Sequence, residues 1–158
     1  MKIATVKDLK TELKHRTNDE LLELCLQLSK FKKENKELLT YLLFESDHEE
    51  NYIDTVKTEI DEQFELINTK TYYFIKKSIR KILKNTKKYS RYSKNKETEI
   101  TLLLYFCEKL SNLKPSIKKN AVLLNIYNRE LDAIKKKVLL LHEDLQYDYN
   151  ISINRLSI

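Results

Sequence analysis

Glu97-Thr98-Glu99-Ile100-Thr101-Leu102-Leu103-Leu104-Tyr105-Phe106-Cys107-Glu108-Lys109-Leu110 is the stretch on which the fold turns. Its residues from Leu102 to Cys107, together with Leu110, make a helix apolar around most of its circumference, and such a helix must be covered by protein on several sides. The reading is a central helix, closed by Asn112 to Pro115 because proline cannot continue a helix interior. Working outward, the flanking segments supply amphipathic helices to cover it.

Downstream, Leu124, Tyr127, Leu131, Ile134, Val138, Leu141 and Leu145 alternate spacings of three and four, which predicts one long C-terminal amphipathic helix. A coiled-coil seam fits that period. Ile126, Leu139 and Leu140 widen the stripe, favouring a helix packed into a globular bundle and a monomer, with a helical dimer as the alternative. Upstream, Ile3, Val6, Leu9 and Leu13 mark a first helix. Thr17 with Glu20 forms a capping-box signature opening a second, expected to reach Phe44. Ser46 with Glu49 repeats that signature before Ile53, Val56, Ile60 and Ile67, and the spacing resumes at Tyr72, Ile75, Ile79 and Ile82. Whether residues 46–84 form one kinked helix or two stays open at this point.

Residues 85–96 read as a basic, polar loop, and residues 149–158 as a C-terminal tail whose Ile151, Ile153, Leu156 and Ile158 offer partner contacts, in cis more than in trans. The class is all-α: a helical bundle of five or six helices in a single all-helical domain, 1–158.

The 158 residues contain no glycine, where average usage of about 7% would give around eleven. Phosphate-cradling loops, dinucleotide fingerprints and nucleophile elbows need a backbone approach that a Cβ obstructs, so these chemistries are excluded. Asparagine becomes the natural residue for left-handed helix ends, and Asn68, Asn85, Asn112 and Asn150 lie where periodic segments stop. No apolar run reaches the roughly 20 residues of a spanning helix, and none near the N-terminus resembles a signal peptide. Together these point to a cytoplasmic protein without a membrane contact. Cys25 and Cys107 sit in apolar stretches and read as reduced core residues, with a disulfide as the lesser alternative.

Glu12 with His15 and Glu45 with His48 have the Glu-x-x-His spacing of di-iron bundles, yet the first pair lies off the apolar stripe and the second occupies the break between helices, so no metal is assigned. His142, beside Glu143 and Asp144, reads as a solvated histidine. No nucleophile constellation is visible, no cofactor is implied, and the chain is read as no enzyme.

The opening Val6 to Lys14, followed by Asp19-Glu20-Leu21-Leu22, resembles the helix, turn, helix start of a SAP DNA-binding motif over fewer than 25 residues. It lacks the glycine of that motif's turn and rests on common helix formers, so no family is assigned from it.

Charge is segregated. Residues 66–96 hold eleven basic residues and no acidic one, and residues 45–65 hold nine acidic residues and one lysine. The whole positive balance of +6 resides in the first of these segments. Lys76, Lys77, Arg80, Lys81, Lys84, Lys87, Lys88 and Arg91, interleaved with Tyr72, Tyr73, Tyr89 and Tyr92, suit a surface that neutralises phosphates and stacks bases. Two plainer origins compete: pairing with the acidic segment in a helical hairpin, and an A/T-rich codon bias that favours Lys, Asn, Ile and Tyr. The leading expectation is therefore an interaction protein with a protein partner, bound through a helical surface or the tail, and the alternative is nucleic-acid binding through residues 70–96.

Overall fold

A computed structural model describes residues 1–156, and every regular element in them is helical. Eight α-helices are present where the periodicity suggested five or six. The chain, read above as one domain, divides into two compact units, residues 1–44 and 45–158.

The N-terminal unit holds α1 (Val6–Lys14), α2 (Asn18–Phe31) and α3 (Lys33–Thr40). Capping boxes at Thr5 with Asp8 and at Thr17 with Glu20 start α1 and α2, each hydroxyl accepting the N3 backbone N–H. The long second helix expected to reach Phe44 is broken at Lys32, whose φ of −141° is extended. Asn35 explains the break locally: its side-chain amide donates to the Leu28 carbonyl at 2.8 Å, occupying an acceptor that the interrupted helix leaves open. A π-helical turn follows at Tyr41–Glu45.

The second unit contains α4 (Glu49–Glu65), α5 (Tyr72–Ser93), α6 (Lys96–Ser111), a 3-10 turn (Ile117–Lys119), α7 (Ala121–Val138) and α8 (Glu143–Leu156). Central placement of α6 is confirmed: α4, α5, α7 and α8 all pack on it, and Ile100, Leu102, Leu103, Phe106, Cys107 and Leu110 are buried. Short connections make successive helices antiparallel. Glu49 at the start of α4 reaches Ser93 at the end of α5, and Glu99 at the start of α6 meets Lys137 at the end of α7.

The chain breaks after Leu66, so α4 and α5 are separate helices, which decides the point left open by the spacing. Other local expectations are corrected. Residues 85–96 are not a loop, because α5 continues to Ser93. Small polar residues continue its inner face: Thr86 and Ser90 are buried, and their hydroxyls donate to the carbonyls four residues back at 2.9 Å. The N-cap of α4 is His48, and Glu49 accepts from the hydroxyls of Ser93 and Thr98.

The long last helix ends at Val138, and the side-chain amide of Gln146 donates to the Leu141 carbonyl at 2.8 Å across the break. The 149–158 tail is helical as far as Leu156, because Leu145, Tyr149, Ile153 and Leu156 form a helical stripe that the Ile151/Ile153 alternation conceals. Ile153 is buried against the bundle and Ile151 is exposed. Leu156 is half-buried, with its carbonyl accepting from the Tyr127 hydroxyl, and Ile158 lies outside the described residues.

Asparagine serves helix starts: Asn95 and Asn120 accept the backbone N–H of Glu97 and Leu123. Lys94 holds the one positive φ among the described residues, 56°.

Candidate functional site

The α5 face carrying Arg80, Lys84, Lys87 and Arg91 advances by four, three and four residues, so these side chains form one stripe about 16 Å long. Beside it α7 presents Val122, Asn125, Ile126 and Arg129 at helical spacing. Both helices pack on α6, and the trough between them is an open groove of about 840 Å³ with Leu83 and Ile126 among its apolar lining.

Beneath the groove lies Glu130, with 1% of its side chain exposed. Its Oε2 is 2.7 Å from the Lys87 ammonium and its Oε1 is 3.4 Å from Arg129 Nε. A carboxylate taken out of water gains little stability from one partner. What it does here is hold a cation of α5 against a cation of α7. Glu99, the one acidic group lining the groove, is paired with Lys137 at 3.0 Å. Arg80, Lys84 and Arg91 have no ion-pair partner among the described residues. Three of the chain's five arginines therefore meet in one groove, a clustering that a codon bias toward lysine does not produce.

Of the basic residues singled out in the sequence, the groove collects Arg80, Lys84, Lys87 and Arg91, while Lys76, Lys77, Lys81 and Lys88 do not line it. Tyr89 and Tyr92 are not stacking platforms. The Tyr89 hydroxyl donates to Glu59 at 2.6 Å, its ring meets the edge of Tyr92 at 6.0 Å, and Tyr92 is buried. Arg129 and Asn125 were invisible to a reading by segments, since they lie more than 30 residues downstream with no charge run around them.

Nor do the acidic and basic segments meet simply as oppositely charged faces. Tyr52 donates to the Tyr89 carbonyl at 2.9 Å and Asn85 to Gln63 at 3.0 Å, so hydrogen bonds from uncharged groups run along the α4–α5 contact. Asp61 turns to α6, 2.8 Å from Lys109 and within 2.8 Å of the Tyr105 hydroxyl. Burial raises its carboxyl, but the hydrogen bonds from Lys109 and Tyr105 and the lysine charge outweigh that and leave it below the usual carboxylate range.

A second surface lies in the N-terminal unit. No residue of α1, α2 or α3 is buried, and Leu9, Leu13, Leu24, Leu28 and Phe31 wall an apolar groove of about 820 Å³ between α1 and α2. Phe31 is 76% exposed. Glu12, Arg16 and Lys30 rim it, and a smaller groove of about 310 Å³ on the α2–α3 side includes Cys25. Cys25 is thus exposed rather than in a core, because the helix that carries it has no second layer to cover it.

The buried Cys107 thiol and the Tyr105 hydroxyl are held in their protonated forms, whereas Cys25 is exposed. Burial, reinforced by the Glu130 charge and opposed by Lys87, pushes the Cys107 thiol up to about 12. Tyr105 is raised to about 12 by burial and by its bond to Asp61. His142 is exposed and lies 3.5 Å from Asp144, and His15 and His48 sit at helix ends. Among the described residues no three His, Cys, Asp or Glu side chains gather as metal ligands, and no helix is long and apolar enough to cross a membrane. Comparison with protein-family models, with curated proteins and with solved structures finds no match.

Proposed function

We propose that this chain is a non-catalytic interaction protein whose N-terminal unit docks on a helical protein surface, and that the occupant is the same unit of a second copy. The observation that carries the reading is the absence of any buried residue in α1–α3, despite their leucine-rich faces. A unit of some 44 residues needs a disulfide, a metal or association to hold its shape. Both cysteines are free, and the described residues offer no metal cluster, which leaves association.

Charge favours self-pairing. The groove rim carries Glu12 beside Arg16 and Lys30, so a two-fold arrangement sets opposite signs against each other while the leucines close a four-helix layer. The dimer surface then differs from the seam expected along residues 124–145, whose inner face is covered by α6 and α8.

Sedimentation of the full chain over a wide concentration range tests this. The expected result is a two-chain species, and a single-chain species in the Leu13→Asp/Leu28→Asp variant. A single-chain mass at every concentration overturns the reading. So does a dimer that survives the double substitution.

A further inference from the structure

The α5–α7 groove is lined by residues of the second unit, and its chemistry differs from that of the α1–α2 groove. Its polar lining is cationic apart from the paired Glu99 and the neutral Asn125, and it contains no aromatic ring. Three of the four tyrosines of the basic segment are committed elsewhere: Tyr72 donates to the Ser116 carbonyl at 3.3 Å, Tyr89 to Glu59, and Tyr92 is in the core, while the exposed Tyr73 does not line the groove. Single-strand binding draws on base stacking as well as charge. Backbone contact to a duplex needs charge alone, placed in a row. From these features we infer that the groove binds the phosphate backbone of a double-stranded nucleic acid without reading its sequence.

The geometry supports each part of that statement. Arg80, Lys84 and Arg91 project from a single rigid helix and carry unneutralised charge. Arginine presents a planar fork of donors that matches phosphate oxygens. Arg129 faces them from α7 with 70% of its side chain exposed, and its guanidinium keeps donors beyond the Nε that faces Glu130. Buried Glu130 sets the two walls in register through Lys87 and Arg129, so the cations are arranged before a ligand arrives. A stripe about 16 Å long on an open trough suits an extended polyanion better than a compact phosphate ester.

Three unpaired cations set the scale of the effect. Each phosphate neutralised contributes a log–log salt slope of about −0.9 on duplex, so a slope near −2.7 is expected, and affinity falls roughly 40-fold between 50 and 200 mM salt. Fluorescence anisotropy of the full chain with a labelled duplex DNA, and with the single strand of the same sequence, measures both. The Arg80→Gln/Lys84→Gln/Arg91→Gln variant should bind at least about tenfold more weakly at low salt, with a slope close to zero. A Lys114→Gln/Lys118→Gln/Lys119→Gln variant loses the same net charge from exposed positions before and within the 3-10 turn, outside the groove, and should keep most of the affinity. Circular dichroism confirms that both variants remain folded. The proposal fails if no duplex binding occurs at about 50 mM salt, where even non-specific complexes form. It also fails if the single strand binds as well as the duplex, or if the turn variant loses as much affinity as the groove variant.

Discussion

The ammonium of Lys87 lies 2.7 Å from Oε2 of Glu130, joining the exposed edge of α5 to a carboxylate sealed beneath α7. Removing one member of such a pair strands the other. Lys87→Ala should therefore destabilise the second unit by about 1–3 kcal/mol, less than for a fully buried pair because Lys87 is 44% exposed. The double change Lys87→Met/Glu130→Leu should recover most of that loss in chemical denaturation. A Lys87→Ala variant as stable as the wild type would show that water already serves Glu130.

Phe106 is fully buried on the central helix, its ring 5.8 Å from that of Phe64. Phe106→Ala removes one of the contacts that join α4 to α6, and should cost about 3–5 kcal/mol of unfolding free energy. Urea midpoints compared at constant slope provide the measurement. An unchanged midpoint would contradict the central place of α6.

Lys94 carries a φ of 56° between α5 and α6, where a Cβ crowds the neighbouring carbonyl. Lys94→Gly should raise stability by roughly 0.5–1 kcal/mol, whereas Lys94→Ala should leave it nearly unchanged. Thermal melting separates the two, and equal melting temperatures for both variants would count against relief of the backbone.

Tyr105 keeps its proton up to about 12 in the folded chain, against about 10 when unfolded. A group whose folded value is raised contributes stability that is complete below the unfolded value. That contribution is lost as pH climbs from about 10 through about 12. Tyr105→Phe should make the decline in stability over this window shallower, followed by circular dichroism at fixed denaturant. In the wild type, ultraviolet titration should show tyrosines ionising together with unfolding. A decline as steep in the variant would remove Tyr105 from the explanation.

The all-helical class and the central helix were legible because they depend on apolar periodicity, which the run from Leu102 to Leu110 displays without long-range information. Helix ends were legible where the cap is local, as at Thr17 and Glu20. They were hidden where a side chain supports a break from a distance: Asn35 at the Leu28 carbonyl and Gln146 at Leu141 look like ordinary surface amides in the sequence. The polar half of α5 has the composition of a loop, because burial of Thr86 and Ser90 depends on their bonds to the preceding turn. At the groove, the α5 cations could be read as a charge run. Their convergence with Arg129 depends on how two helices straddle a third, and helical spacing within one segment carries no trace of it.

The absence of buried side chains in α1–α3 also affects how any association through them will behave. Helices of 9, 14 and 8 residues are marginal by themselves in water. Their amides should exchange with solvent through local openings, while those of α6 exchange only when the second unit unfolds as a whole. A partner surface must then supply the free energy of ordering these helices as well as that of contact. Association should accordingly show a large negative heat-capacity change, and its affinity should vary strongly with temperature.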